Sequence, residues 1–337
     1  MSISVLSSGL LTTVQDAGRF GYRQAGVIIS GPMDGVALRL GNLLVGNAST
    51  AAALECTWPG PRLRLETECL IAITGADLAP TLNGTPLPMW RSVAVAAGCE
   101  LAFSAPRQGR WAYVAVAGGL ATEEILGSRA TYLRAGIGGF QGRALQASDQ
   151  LPVGEASASS QRLRRSVTAP ETEQLWQAAS WFAGPLQQPS RAGSTTIVRA
   201  VHGPEYHAFT EESQKAFWQQ EFTLSSHSDR MGYRLNGPRM EQHTPQEILS
   251  SAVTFGTVQV PANGAPIVLM ADHQTTGGYP RLAQVITADF SPLAQVPPGG
   301  SIRFQEVTLA EAQQVLLAQE QHLQQLQTAI ALTTNRY

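Results

Sequence analysis

The chain has 337 residues, and its 23 basic and 25 acidic side chains leave a formal net charge of −2. Lys215 is the single lysine, so the other 22 basic residues are arginine. A phosphate-binding P-loop needs G-x-x-x-x-G-K-[ST], which the sequence lacks. Schiff-base catalysis needs a nucleophilic lysine, whereas Lys215 lies in a polar, helix-like stretch that favours a solvated side chain. The presence of a single lysine therefore nearly excludes P-loop nucleotide binding and Schiff-base catalysis by this chain.

The composition indicates a β-rich protein with many turns. Charged residues make up only 14 % of the chain, which also contains 32 Gly and 20 Pro. The near-zero net charge and the lack of a Lys/Arg stripe argue against nucleic acid or an anionic membrane as a partner. A surface with so few charges suits a protein partner.

The cysteines and histidines predict no disulfide framework and no metal site. Cys56, Cys69 and Cys99 are odd in number, lack C-x-x-C spacing and lie in apolar, strand-like contexts. His202 and His207 are five positions apart, the wrong spacing for two ligands on one helical face. No basic segment precedes the first apolar residues, and no apolar run approaches about 18 residues. The sequence therefore predicts a soluble cytoplasmic protein.

The first half of the chain alternates short apolar segments with Gly and Pro, which predicts an antiparallel, barrel-like domain. One helix is predicted over residues 33–45, where Val36, Leu40 and Leu44 follow helical spacing. Residues 149–152 close this domain. Its predicted strands are ISVL, LRLE, CLIAIT, SVAVAA, ELAFSA and WAYVAVAGG.

A polar stretch at residues 154–196 predicts a linker, with a short helix around residues 171–182. Its Arg162, Arg164 and Arg165 are expected on a solvated face.

A second unit of strands follows from residue 197, and the chain ends in a helix. Thr308 and Glu311 form the T-x-x-E capping box that starts this helix. An apolar stripe at helical spacing is expected to pack against its own domain. The stripe consists of Leu309, Ala312, Leu316, Leu323, Leu326 and Ile330.

A weak internal repeat relates the two halves. The sequence R-x-G-Y-R occurs at residues 19–23 and again at residues 230–234. The motif recurs with similar flanking residues in the same order, which predicts a duplicated domain. The acids just before the two copies are Asp16 and Asp229, and the later Gly-Gly-aromatic segments with Arg lie at 138–143 and 277–281.

The densest cluster of chemically useful residues follows the predicted strand PIVLMA. A carboxylate, an imidazole, an amide and two hydroxyls lead into a Gly-Gly turn, where the backbone can approach a ligand closely. The alternative is a structural turn in which Asp272 and Thr276 satisfy backbone N–H groups. The cluster comprises Asp272, His273, Gln274, Thr275, Thr276, Gly277, Gly278 and Tyr279.

A second cluster lies at residues 227–234. Arg230 or Arg234 can make a bidentate contact with a carboxylate or phosphate. Alternatively, Asp229 and an arginine form a buried ion pair that fixes the loop. Both roles remain open. The glycine-rich residues 136–143 lack the register of a dinucleotide fingerprint and predict a tight turn.

Taken together, these motifs resemble the biotin-dependent carboxyltransferase family, and most closely its KipA-like members, the C subunits of 5-oxoprolinase. The resemblance runs from about Val5 to Val307. The segments that carry it include TVQDAGRFGYRQAGVIISGPMD, ALECTWPGP, GIGGFQGRAL, SDRMGYRLNGP and FGTVQVPANGAPIVLMADHQTTGGYP.

The resemblance implies a mainly β fold, with two cyclophilin-like β-barrel domains in tandem, a few short helices and a C-terminal helix. The expected boundaries are 1–153 for the first barrel, 154–196 for the linker, 197–307 for the second barrel and 308–337 for the C-terminal helix and tail.

The same resemblance implies a hydrolase that acts only within a complex. The chain is expected to join two other 5-oxoprolinase subunits, one KipI-like (B-type) and one LamB/YcsF-like (A-type), in cleaving 5-oxo-L-proline to L-glutamate at the expense of ATP. ATP, with Mg, is expected at the level of the complex, and no biotin is expected on this chain. The alternatives are half of a urea carboxylase-like carboxyltransferase, and a KipA-like regulator that binds a kinase inhibitor.

Residue chemistry then gives hypotheses for this reaction. ATP is expected to activate the lactam oxygen, so the developing charge needs cationic and N–H donors. Asp272 or His273 is expected to position a proton or a water, with Arg230 as a third catalytic group. The predicted substrate-binding residues are Gln274, Thr276, Gly277, Gly278, Tyr279, Asp229, Arg234 and Arg281.

Overall fold

The computed structural model describes residues 1–167, 175–186, 193–244 and 248–334, which fold into two compact units. The first unit comprises Met1–Arg19, Asp34–Leu186 and Gln321–Tyr337. The second comprises Phe20–Met33 and Gln187–Glu320.

The first unit contains two antiparallel six-stranded sheets. Their orders are β11-β1-β4-β9-β6-β7 and β12-β8-β5-β10-β3-β2. The long strands β5 and β10 are almost wholly buried, consistent with their continuous apolar sequences. The strands are β1 Ser2–Ser7, β2 Leu11–Gln15, β3 Ala53–Thr57, β4 Arg62–Leu65, β5 Cys69–Asp77, β6 Thr81–Leu82, β7 Thr85–Pro86, β8 Val93–Val95, β9 Cys99–Ala102, β10 Gln108–Val116, β11 Gln150–Pro152 and β12 Trp176–Ala178.

The second unit is built on a closed seven-stranded barrel of order β13-β20-β17-β18-β15-β14-β21. Parallel pairing of β13 with β21 closes it. Buried and exposed residues alternate in β14 and β15, so one side of each strand faces the core. The strands are β13 Thr195–His202, β14 Glu221–Leu224, β15 Gly232–Asn236, β16 Ser251–Ala252, β17 Thr257–Gln259, β18 Ile267–Leu269, β19 Thr276–Gly277, β20 Arg281–Val285 and β21 Ser301–Glu306.

The helices confirm two predictions. The helix α1, Gly35–Leu44, starts where the Asp34 carboxylate accepts a hydrogen bond from the Ala37 N–H. At the start of α5 the Thr308 N–H donates to Glu311 Oε2 at 2.8 Å, which completes the capping box. Lys215 is exposed on α3, 3.6 Å from Glu211. The helices are α1 Gly35–Leu44, α2 Ala158–Val167, α3 Glu211–Gln219, α4 Phe290–Ala294 and α5 Leu309–Thr334.

The helix predicted around residues 171–182 is wrong for the described residues of that range. Trp176 and Ala178 lie in β12, which pairs with β8, and both pack against the core of the first unit. They are two positions apart, as in a strand, so pairing with the edge of a sheet overrides a helix-like composition. Residues 171–174 lie outside the described residues. The helix of this region is α2, which carries Arg162, Arg164 and Arg165.

The mainly β fold class is confirmed, with few helices and a long C-terminal one. All three cysteines are free and buried. Burial raises the pKa of the Cys69 thiol to about 12, so this side chain is a poor nucleophile. None of the described helices is both long and apolar enough to span a membrane.

Candidate functional site

The loop that follows β18 is the centre of the candidate site. After the buried Ile-Val-Leu strand, the chain turns so that the Asp272 N–H donates to the Arg230 carbonyl at 2.8 Å. The Asp272 and His273 side chains are both buried, in contrast with the exposed Thr276 and Tyr279 further along the loop. The predicted cluster therefore divides into a buried beginning and an accessible end.

Asp272 and Arg230 form a buried bidentate ion pair. Arg230 Nε lies 2.9 Å from Asp272 Oδ2, and Nη2 lies 2.9 Å from Oδ1. Their side chains are only 5 % and 6 % exposed. Ser30 Oγ donates to Asp272 Oδ1 at 2.7 Å, and Arg230 Nη2 also donates to the Gly31 carbonyl at 2.6 Å. Since its oxygens already accept three hydrogen bonds, the Asp272 carboxylate is suited to positioning rather than to taking a proton.

Ser30 is held in an unusual backbone conformation next to this ion pair. Its φ of 56° lies in the left-handed region, which a residue with a Cβ rarely occupies. The hydrogen bond to Asp272 and the neighbouring Arg230–Gly31 contact keep it there. Strain of this kind is typical of functional sites.

His273 is a buried, neutral imidazole. Its Nδ1 lies 2.6 Å from the Gln274 carbonyl oxygen, which can only accept, so Nδ1 carries the proton and Nε2 carries a lone pair. Burial lowers the pKa of His273 below its usual 6.5, and the positive charge of Arg23 lowers it further. The Gln274 carbonyl and the Asp272 carboxylate act in the opposite direction. At neutral pH the ring therefore offers a hydrogen-bond acceptor at Nε2.

A cavity of about 490 Å³ in the second unit is lined by His273, Ser30 and Arg23. The rest of its wall is mostly apolar and comes from the barrel, from α4 and from the first turns of α5. The other lining residues are Ile29, Val201, Thr254, Phe255, Ala271, Gln284, Val285, Ile286, Thr287, Phe290, Leu309, Ala312, Gln313 and Leu316.

Arg23 is a site residue that was not predicted from the sequence. It lies half-buried in a short 3-10 helix, Arg23–Ala25. Its Nη2 donates to the Val253 carbonyl and, at 3.5 Å, to the Thr275 carbonyl. A signal was present, because Arg23 is the second arginine of the repeated R-x-G-Y-R.

The other residues of the predicted loop do not line this cavity. Gln274 supplies the carbonyl that orients His273. Thr276 and Gly277 form β19, which pairs with β16, and a Cβ on Gly277 would lie 2.5 Å from Gln259 Nε2. A Cβ on Gly278 would meet the Ile248 carbonyl oxygen at 3.2 Å, and the Tyr279 side chain is 49 % exposed.

Asp229 and Arg234 are also placed away from the cavity. Asp229 Oδ1 accepts hydrogen bonds from the Met231 and Gly232 N–H groups at 2.8 and 3.2 Å, so it shapes the turn before β15. Arg234 is exposed on β15. The buried ion pair that we considered for Asp229 forms between Arg230 and Asp272 instead.

Arg281 is held by a second bidentate pair in the same unit. Its Nε lies 2.8 Å from Glu205 Oε2, and its Nη2 lies 2.7 Å from Oε1. These hydrogen bonds lower the pKa of Glu205, which keeps the pair charged at neutral pH. A third nitrogen, Nη1, donates to the Ala252 carbonyl at 3.3 Å.

The first copy of the motif begins in the first unit, where Asp16 and Arg19 have different partners. Asp16 Oδ1 accepts from the Gly18 N–H at 2.9 Å, as Asp229 does in its own turn. Arg19 is buried like Arg230, but donates to the carbonyls of Ile125 and Ala130, each at 2.9 Å. Both copies of the motif thus encode the same kind of turn and a buried arginine, whereas the bidentate carboxylate partner is found in the second copy.

Comparison with known proteins identifies the family of this chain. The model of the carboxyltransferase domain, subdomains A and B, matches residues 25–306. The chain belongs to this family. Among its relatives are the C subunits of two bacterial 5-oxoprolinases. It is 41 % identical to that of Escherichia coli (strain K12) over 324 residues, which cover 96 % of this chain and 97 % of that protein. It is 40 % identical to that of Haemophilus influenzae, covering 97 % and 98 %.

A solved structure is also similar. The crystal structure of the K. lactis urea amidolyase matches with a TM-score of 0.82 and 27 % identity. The match covers 96 % of this chain but only 20 % of that one, so the chain corresponds to one part of a much longer enzyme.

Proposed function

We propose that this chain is the C-type component of an ATP-dependent 5-oxoprolinase, and that it contributes to the cleavage of 5-oxo-L-proline to L-glutamate in a complex with partner subunits. The observation that carries the proposal is the 41 % identity to the Escherichia coli 5-oxoprolinase component along almost the whole length of both proteins. The expected partners are a KipI-like (B-type) and a LamB/YcsF-like (A-type) protein, and the expected location is the cytoplasm.

The cavity at His273 suits a small lactam. A cavity of about 490 Å³ is within the usual range for a small-molecule site, and its apolar wall suits the methylene groups of a five-membered ring. The lone pair on His273 Nε2 can accept a hydrogen bond from the lactam N–H. In this arrangement His273 is the group that orders the substrate or a water, and the Arg230–Asp272 pair holds the loop in place.

The residues of the cavity do not fit ATP with Mg. Magnesium takes oxygen ligands, usually carboxylates, and no Asp or Glu lines this cavity among the described residues. We therefore assign the nucleotide to another part of the complex and derive no step through it on this chain. Lys215, the single lysine, is exposed and lies 3.6 Å from Glu211, outside any cavity described above.

Reconstitution tests the proposal. The chain is mixed with its B-type and A-type partners, and ATP-dependent glutamate release from 5-oxoproline is followed, with each of the three proteins omitted in turn as the control. We expect release only with all three proteins and ATP. An associated, folded complex that releases no glutamate would exclude this function.

The second candidate function is that of one half of a biotin-dependent carboxyltransferase. It is favoured by the similarity to the K. lactis urea amidolyase. It predicts that activity depends on a biotinylated carrier protein. Avidin added to the reconstituted reaction separates the two functions, because it blocks carboxyl transfer and leaves a 5-oxoprolinase unaffected.

A further inference from the structure

Arg23 is the charged group of an otherwise uncharged cavity. Of the described residues that line it, Arg23 alone carries a full charge at neutral pH, because the lowered pKa of His273 keeps the imidazole neutral. The neighbouring carboxylate, Asp272, is already paired with Arg230. The cavity therefore has a net positive charge.

The hydrogen bonds of Arg23 orient its guanidinium without neutralising it. Nη2 donates to the Val253 and Thr275 carbonyls, which carry no net charge. Neither Nε nor Nη1 has a hydrogen-bond partner within the described ranges. A guanidinium held at Nη2 keeps the N–H groups of Nη1 and Nε for other acceptors, and each can donate a charge-assisted hydrogen bond to an oxygen of an anion.

The apolar wall strengthens this preference. Charges interact more strongly where the local dielectric constant is low, so an anion beside Arg23 is attracted more than it would be in water. The positive charge of Arg23 already acts on His273, whose pKa it lowers, so the two groups share one electrostatic environment.

We propose that Arg23 binds the carboxylate of the substrate and selects anionic lactams over neutral ones. This inference rests on the proposed function and adds a specificity-determining residue to it. The substrate then spans two contacts, with its carboxylate at Arg23 and its lactam N–H at His273 Nε2, while its ring methylenes face the apolar wall.

Calorimetric binding to the assembled complex tests the assignment, with 5-oxo-L-proline and the neutral lactam 2-pyrrolidinone as probes. We expect Arg23→Gln to weaken 5-oxoproline binding about 10- to 100-fold, the usual effect of losing a charged hydrogen bond. Binding of 2-pyrrolidinone should not change. Arg23→Lys, which keeps the charge, should recover part of the loss.

Arg303→Gln is the matched control, because Arg303 is exposed on β21 of the same unit and does not line the cavity. Thermal unfolding of each variant separates lost binding from lost folding. Should Arg23→Gln misfold, the Arg23→Lys variant and the selectivity of the wild type for 5-oxoproline over 2-pyrrolidinone still decide the question.

The possible failures can be told apart. Glutamate release with unchanged 5-oxoproline affinity in Arg23→Gln would overturn the role of Arg23 and leave the proposed function intact. Binding of 5-oxoproline that depends on Arg23, without glutamate release, would overturn the proposed function and leave the role of Arg23 intact. Inorganic phosphate that binds the wild type more tightly than 5-oxoproline, in an Arg23-dependent manner, would overturn the assignment to a carboxylate.

Discussion

Arg230 and Asp272 lie 42 positions apart in the sequence and meet as a bidentate ion pair in the interior of the second unit. Two parallel N–H···O hydrogen bonds fix both the distance and the plane of the two groups. Ser30 and the Gly31 carbonyl complete the arrangement, so the pair ties the loop after β18 to the segment at residues 30–31.

Removing one partner of this pair should be strongly destabilising. Asp272→Leu removes the carboxylate that pairs with the buried Arg230 guanidinium, and we expect a loss of about 3 to 5 kcal/mol in the free energy of unfolding. The double variant Arg230→Met/Asp272→Leu should recover most of that loss. Urea unfolding of the single and double variants measures the coupling, and additive losses would contradict the assignment of a coupled pair.

Two substitutions at Ser30 separate the contribution of its hydroxyl hydrogen bond from the strain of its backbone. Ser30→Ala removes the hydroxyl hydrogen bond and keeps a Cβ at a φ of 56°, whereas Ser30→Gly removes the hydroxyl and relieves the strain. We therefore expect Ser30→Gly to be more stable than Ser30→Ala by about 1 kcal/mol. Thermal unfolding of both variants checks the order, and a more stable alanine variant would contradict a strained φ at this position.

His273 should make stability depend on pH in a defined direction. Its pKa in the folded chain is below the usual 6.5, so the unfolded state binds a proton first as the pH falls. The stability that His273 contributes is therefore present above about pH 6.5 and is lost between that value and the lower folded pKa. Burial and the positive charge of Arg23 lower the pKa of His273, whereas the Gln274 carbonyl and the Asp272 carboxylate raise it.

The matched comparison is His273→Asn. The free energy of unfolding of the wild type should fall more steeply than that of the variant between about pH 7.5 and about pH 5. Since all the other histidines are exposed and shared by both proteins, their effects cancel. Parallel pH profiles would show that His273 is not the buried neutral group described above.

Gly277 tests whether the Gly-Gly turn serves packing or a ligand. An added Cβ would lie 2.5 Å from Gln259 Nε2, the end of a side chain that can move. We expect Gly277→Ala to cost about 1 kcal/mol and Gln259→Ala to relieve the clash in the double variant. Lost activity in that double variant, with stability restored, would indicate that the backbone at Gly277 approaches the substrate.

Gly203 provides the contrasting case. A Cβ added at Gly203 would lie 2.1 Å from the Arg281 carbonyl oxygen. This oxygen belongs to the backbone, which cannot relieve the clash by a change of rotamer. Gly203→Ala should therefore lower the unfolding midpoint well beyond the effect of Gly277→Ala. Equal midpoints for the two variants would contradict this.

Local patterns in the sequence were enough for much of the fold. The capping box at Thr308 and Glu311, the helix that begins after Asp34 and the buried strand before Asp272 were predicted because each depends on residues near one another in the chain. The helix expected around residues 171–182 was wrong because a distant strand edge, Val93–Val95, pairs with Trp176–Ala178.

The chemistry of the site was harder to predict, since its partners are distant in sequence. Ser30 and Asp272 are 242 positions apart, and no local pattern joins them. The repeated motif did indicate a duplication that includes Arg23 and Arg230, in which Arg19 is the counterpart of Arg230 and Arg23 that of Arg234. Only the folded chain shows that Arg230 is neutralised by a carboxylate while Arg23 contacts carbonyls.

The cavity at His273 draws its walls from both early and late segments of the chain. Arg23 and Ser30 are synthesised before the strands of the barrel, whereas Leu309 and Leu316 of α5 are synthesised after them. At about 5 to 20 residues per second, the early segment waits roughly 15 to 60 s for its partners. A nascent chain therefore has no complete cavity until residue 316 has been made, so a product that terminates earlier lacks part of the cavity wall.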